Sequence, residues 1–397
     1  MDELNESHSY KKLAEQINDE LKNDLLPVTI FIGVEIVLGF VGNFLVLYVY
    51  LFRYHQCNFR YFVLCLAVID ITSCLTSMPG ELINLTYWYV YPVREICKVK
   101  SFFNVFTACS EGLCLLVIAI DRYRKVCQPL AWQITQARAK YLCYAVYGTG
   151  LVMSAPYIFL WGTSTHPYGY KNRTVTMTTC GKDADFKDTV YPLRYSIAVE
   201  VIMSCCLITM LVLYIFTARR LLTKRKELVA CLQALNSSKS NILAGTSSAT
   251  SGDNIDGVET ELKKYHSAHV ESKSVAVANP KFRKGTCTEE VAKMRVQHER
   301  GKVDARIQRM TIIMLILTIA FIITAALYLG LLFFIAGSRE KIVDEMSNGQ
   351  KAAFFFFLRL YFINHVINPI VFVSLDPYFR KVLKNLRKRL YRTCTCK

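Results

Sequence analysis

The chain has 397 residues, 53% of them hydrophobic, and 48 Lys and Arg against 31 Asp and Glu give a formal charge of +17. A mean hydropathy of +0.26 is too apolar for an ordinary soluble domain of that charge. The basic excess sits beside apolar stretches, where attraction to the anionic inner leaflet of a bilayer accounts for it, so nucleic acid is not an expected partner.

Residues 1–25 lean acidic through Asp2, Glu3, Glu6, Glu15, Asp19, Glu20 and Asp24 and lack the pattern of a cleavable signal peptide, which leaves the first apolar stretch as the targeting signal. Windows of mostly apolar residues, each about 20 long, predict membrane helices at about 26–52, 61–86, 98–120, 140–161, 195–217, 310–336 and 352–374. Arg53 and Arg60 follow span one, Arg124, Lys125, Arg138 and Lys140 follow span three, and Arg219, Arg220, Lys224, Arg225 and Lys226 follow span five. Basic residues in such short segments mark the cytosolic side, so the N-terminus is expected outside and the C-terminus inside a plasma membrane. The expected divisions are an extracellular segment 1–25, spans one to five within 26–222, a third cytosolic loop 223–306, spans six and seven within 307–374, and a cytosolic tail 375–397.

Sequons at Asn5 and Asn172 fall outside on this topology, whereas Asn84 is too close to the bilayer for glycosylation. Most of the 15 cysteines lie in apolar spans or on the cytosolic side, where thiols stay reduced. Cys97, at the outer start of span three, and Cys180, in the loop before span five, are the exceptions. A disulfide between them would pin that loop over the mouth of the bundle; two free buried thiols are the alternative. In the same loop Val175, Met177 and Thr179 alternate with Thr174, Thr176 and Thr178, which predicts a β-hairpin.

Residues 223–306 include the Ser/Thr-rich, aromatic-free run "NSSKSNILAGTSSATSGDN", expected to be largely disordered, flanked by basic stretches of helical character. After span seven, Asp376 can cap a helix starting at Pro377, with Phe379, Val382, Leu383, Leu386 and Leu390 on one face. That amphipathic helix is expected on the membrane surface, followed by palmitoylation candidates Cys394 and Cys396.

Span one carries "GNFLVL" with Asn43, span two "LAVID" with Asp70, span three ends in "DRY" at Asp121, Arg122 and Tyr123, and span seven holds "NPIVF" at 368–372 followed by "DPYFRKVL". In this order the strings resemble the rhodopsin-like (class A) G-protein-coupled receptors along all seven spans. The resemblance implies an all-α membrane protein, a seven-helix bundle with a C-terminal surface helix, that binds an extracellular ligand and activates a heterotrimeric G protein. It implies a resting Asp121–Arg122 pair, with Arg122, Tyr123, Tyr214, Asn368, Pro369 and Phe372 as parts of the switch. It further implies a sodium ion at Asp70, shared with Asn364 and Asn368. Arrestin binding is expected to depend on phosphorylation of Ser237, Ser238, Ser240, Ser247, Ser248 and Ser251.

The departures are specific. Span six lacks the usual Trp and Pro, reading "FIITAAL" from Phe321, span five has Cys206 where Pro is usual, and the last Tyr of the span-seven motif is Phe372. Spans five and six then need no built-in kink, and coupling from mouth to cytosol must use other residues, such as Phe321. Asn104 stands where aminergic receptors carry Asp, and Phe362 where opsins carry the retinal Lys, which argues against monoamines and light. The predicted hairpin resembles that of peptide receptors, so a neuropeptide or peptide hormone is the expected ligand. Glu81, Asn104, Arg194 and Arg359 are the ligand-contact candidates, although a Glu81–Arg359 salt bridge would serve structure equally.

Glu111 lies eleven residues before Arg122, about 16 Å up span three, where most of the family has Ser beside the sodium site. Asp70 and Glu111 are expected to hold a sodium ion or share a proton. No nucleophile–base set, metal-ligand cluster or phosphate loop is readable, so no enzyme is expected. A transporter would show repeats and broken helices, and neither is evident. A non-signalling decoy or chaperone, or a receptor for a non-peptide small molecule, remains the alternative.

Overall fold

A computed structural model describes residues 2–170, 173–246, 286–337 and 346–395. Among them seven helices are long and apolar enough to cross a membrane: Leu26–Phe52, Asn58–Thr86, Arg94–Cys127, Gln136–Leu160, Tyr191–Lys224, Ala305–Leu332 and Gly349–Leu375. Their outer faces expose Ile30, Val37, Phe44, Ile208, Val212 and Ile323, a distribution suited to lipid rather than water. The chain divides into a bundle unit, Met1–Ala218 with Ile307–Lys397, and a second unit, Arg219–Arg306. In the second unit the described residues, 219–246 and 286–306, are helical, and the middle of the expected cytosolic insertion lies outside the described residues.

Contrary to the expectation of unbroken spans, two helices of the bundle are interrupted, and proline chemistry explains where. Span two runs Asn58–Leu75, breaks at Thr76 and resumes at Ser77. Pro79 lies four residues after Leu75, whose carbonyl its ring would strike in a continuous helix. Span seven runs Asn348–Arg359, passes through a 3-10 turn Leu360–Ile363 and continues as Asn364–Leu375 with Pro369 inside. Pro369 has no N–H for the His365 carbonyl four residues earlier; the Asn43 amide donates to that oxygen instead at 2.6 Å. Gly42, one residue before Asn43, lets the proline ring approach: a Cβ there would stand 2.7 Å from Pro369 Cγ.

The core has two main parts. Val46, Tyr50, Phe62, Leu66, Ile118, Tyr214, Met314, Phe372 and Phe379 pack in the half holding the "DRY" end of span three. Ile32, Met78, Tyr89, Met177, Phe355 and Phe362 pack in the other half, joined by Ile17, Leu21 and Leu25. Ile17 and Leu21 belong to an N-terminal helix, Asp2–Asp24, that the acidic composition did not foretell. Asn18 secures it by donating to the Thr86 carbonyl at 2.9 Å and accepting from the Tyr89 amide at 3.0 Å.

The loop before span five is the hairpin the alternation predicts. Strand β1, Trp161–Tyr170, pairs antiparallel with β2, Arg173–Lys182, with His166 opposite Met177 and Tyr168 opposite Val175. Val175 and Met177 are fully buried while Thr174 and Thr176 are exposed. Thr178 also bonds residues 89–91 through its amide to the Tyr89 carbonyl and its carbonyl from the Tyr91 amide. At the other end, Asp376 accepts from the Tyr378 amide at 2.9 Å and from the Tyr50 hydroxyl at 2.8 Å. This anchors the amphipathic helix Pro377–Thr395, whose own Phe379 is buried.

Candidate functional site: three polar layers in one bundle

The outer layer is built on Glu81. Its Oε1 accepts from Arg359 Nη2 at 2.5 Å and from the Asn84 amide at 3.1 Å, and its Oε2 lies 3.0 Å from Lys100 Nζ. Arg359 also lies over the Phe355 and Trp88 rings. Two residues on, the Tyr361 hydroxyl donates to Asn104 Oδ1 at 2.7 Å, which brings Asn104 into the layer. Arg194 is exposed and has no described part in it. Cys97 and Cys180 are joined by a disulfide, which ties span three to β2. Beside it Arg94 forms ion pairs with Asp183 and Asp185. Burial works to raise the Asp183 carboxyl, but the Arg94 hydrogen bond and the Asp185 amide hold it below the usual carboxylate range.

The middle layer joins spans two, three and seven. Asp70 Oδ1 and His365 Nδ1 share a hydrogen at 2.9 Å, and Asp70 Oδ2 accepts from Asn368 at 2.6 Å. Glu111 Oε2 lies 3.6 Å from the same His365 Nδ1. Asp70, Glu111 and His365 each offer an atom within 4.8 Å of the others, and all three are buried. Linear spacing could not show this metal-ligating geometry, because each residue comes from a different span. Asn364 turns aside and donates to Thr324 at 2.8 Å. The sodium site that the resemblance implies fits this layer poorly. An imidazole nitrogen, a poor ligand for a hard monovalent ion, stands beside Asp70 among the donors.

The third layer lies at the far end of span three. Asp121 pairs with Arg122, accepts from Lys125 at 2.9 Å and lies 3.3 Å from the Asn58 amide. Asn58 also donates to the Ile134 carbonyl at 2.5 Å, fixing the following loop. Arg122 is fully buried, and its Nε has no hydrogen-bond partner among the described residues. Thr318 of span six donates to the Tyr214 hydroxyl of span five at 3.1 Å. Tyr123 meets the Phe216 ring, and Phe372 lies among Tyr50, Phe59 and Phe379.

The family profile described as "7 transmembrane receptor (rhodopsin family)" matches residues 42–372, which hold all three layers. The chain belongs to the rhodopsin family of seven-transmembrane receptors. Within this family it is 29% identical over 166 residues to the human "Probable G-protein coupled receptor 19", a match covering 41% of this chain and 40% of that protein. It is 27% identical over 157 residues to "Nematocin receptor 2" of Caenorhabditis elegans, covering 36% of this chain and 39% of that protein. The chain thus spans about 40% of the length of the curated relatives it matches. As a rhodopsin-family receptor it is a multi-pass membrane protein.

Sequence reading missed His365, Lys100, Asn58 and the N-terminal helix. The rule that a buried ionisable residue needs a partner could have flagged His365, an imidazole in an apolar span, and Lys100, two turns into span three. Asn5 lies in the N-terminal helix and Cys394 in the C-terminal one, while Asn172, Cys396, Ser247, Ser248 and Ser251 lie outside the described residues.

Proposed function

We propose that this rhodopsin-family receptor binds a peptide from outside the cell and activates a heterotrimeric G protein, with arrestin binding governed by the third cytosolic loop. The observation that carries the signalling reading is the Asp121–Arg122 pair. A fully buried guanidinium held by a carboxylate that also engages Lys125 and Asn58 is the closed half of a two-state element, and exposing it costs little only if a partner accepts it. Tyr214 and Thr318 link spans five and six beside it. Span six carries no proline, so opening has to proceed by rotation of a straight helix rather than at a preformed kink.

The orientation follows the basic loops, and the Cys97–Cys180 disulfide supports it, since such bonds persist on the oxidising side. A peptide ligand is supported by the extended hairpin pinned over the bundle and by the likeness to the nematode nematocin receptor. The outer layer adds a charge argument: one carboxylate, Glu81, faces two cations, Lys100 and Arg359, so an acidic group on the ligand would complete it.

The test is G-protein activation in cells exposed to a peptide library, with Arg122→Ala as control. A peptide response in the wild type that the variant loses is the expected result. Wild-type silence to every peptide together with no basal activity would favour a non-signalling decoy or chaperone, and a response confined to non-peptide compounds would remove the peptide assignment alone.

A further inference from the structure

We propose that Asp70, Glu111 and His365 form a binding site for a divalent transition-metal ion of the zinc class, joining spans two, three and seven. Three observations lead there. The first is charge. Once an ion displaces their protons, two carboxyl groups and an imidazole supply two negative charges in a dry interior, and both acids are essentially buried. A monovalent ion leaves one charge uncompensated, whereas a divalent one cancels both.

The second is spacing. Metal–ligand bonds of about 2.1 Å in tetrahedral geometry put neighbouring ligand atoms roughly 3.4 Å apart. His365 Nδ1 stands 2.9 Å from Asp70 Oδ1 and 3.6 Å from Glu111 Oε2, which bracket that value. Glu111 has His365 as its ion partner among the described residues, and 3.6 Å is beyond hydrogen-bond reach, so the carboxylate is turned toward the ring without a bond to it.

The third is support around the ligands. Asn368 donates to the second Asp70 oxygen at 2.6 Å, and Asn43 holds the His365 backbone through its carbonyl at 2.6 Å. Such outer contacts fix ligand orientation in metal sites. Binding is balanced without an outside reagent. Protons held by Asp70 and Glu111 leave to solvent as the ion enters, the neutral ring carries its proton on Nε2, and Nδ1, Oδ1 and Oε2 donate lone pairs to the ion.

The donor chemistry favours a borderline ion over sodium, magnesium or calcium, which take oxygen ligands. One ion holding three spans together would favour the closed bundle. That consequence rests on the signalling reading above; the binding itself does not.

The test uses the full chain purified in nanodiscs, titrated with Co2+ as a spectroscopic stand-in and then with Zn2+. The expected result is a one-to-one Co2+ complex with the strong visible absorption of a four-coordinate nitrogen–oxygen site, displaced by Zn2+, and a rise in melting temperature with Zn2+. In Glu111→Gln and His365→Asn the affinity should fall by about tenfold or more, while His55→Gln and His166→Gln should bind as the wild type does. Exchange of choline for sodium should leave the melting temperature unchanged. The proposal is overturned if the wild type gives no such complex, if His365→Asn binds equally well, or if sodium rather than zinc stabilises the protein. Should either variant fail to fold, the stoichiometry and absorption of the wild-type complex decide alone. A protein that binds zinc yet activates no G protein would leave the site standing and remove the signalling reading.

Discussion

The outer and middle layers of the bundle are built from the same materials and end with opposite imbalances. Around Glu81 two cations close on one carboxylate, at 2.5 and 3.0 Å. Around His365 two carboxylates close on one imidazole, at 2.9 and 3.6 Å. The outer layer holds a surplus cation and gains from one more anion, whereas the middle layer gathers two acids around one imidazole. A buried ionic group therefore has to be judged with all its neighbours, because a pairwise reading of Glu81 with Arg359, or Asp70 with Glu111, misses Lys100 and His365.

The sharpest way to break this contrast is to remove one acid from each layer. Glu81→Gln leaves the buried Arg359 and the half-buried Lys100 without a counter-charge and is expected to destabilise the protein by about 3–5 kcal/mol, visible as lost surface expression and a lower melting temperature. Retained expression would mean that the outer layer is solvated. Next comes Cys180→Ser, which frees the hairpin closing the mouth; a cost of about 2–5 kcal/mol is expected, with peptide potency falling more than potency at an engineered site elsewhere.

Asp183→Asn removes the carboxylate that Arg94 binds, for an expected loss of about 1–3 kcal/mol. Because its native pKa is depressed, the stabilisation from Asp183 is fully present above about pH 4, the unperturbed value. It fades as the pH falls through the lower native value. Melting curves of wild type and variant should therefore converge in strong acid. The smallest effect is expected in the middle layer. Glu111→Gln relieves an acid excess, so stability measured without added metal should change by no more than about 1 kcal/mol and toward stabilisation. A loss as large as that of Glu81→Gln would erase the contrast.

The spans were legible because each is a long apolar run with basic flanks, and the hairpin because Val175 and Met177 alternate with threonines. The N-terminal helix was not, since only a few residues such as Ile17 and Leu21 bury, on an acidic background. The breaks in spans two and seven could have been read from Pro79 and Pro369, since proline displaces the carbonyl four residues earlier. Of the three layers, the one at the "DRY" end of span three was the most readable because Asp121 and Arg122 are adjacent in sequence. The middle layer needed three spans to be brought together. Asp70 and His365 are 295 residues apart, and no spacing rule reaches that far.

The N-terminal helix has a consequence for timing. Through Asn18 and Ile17 it is fastened to the rim formed by Thr86, Tyr89 and the outer end of span seven. A ligand seated against Arg359 would share that rim with it. Arrival and departure would then both wait on the undocking of that one helix. Such a gate slows the on-rate and off-rate together, lengthening the dwell of each ligand while leaving its equilibrium affinity nearly unchanged.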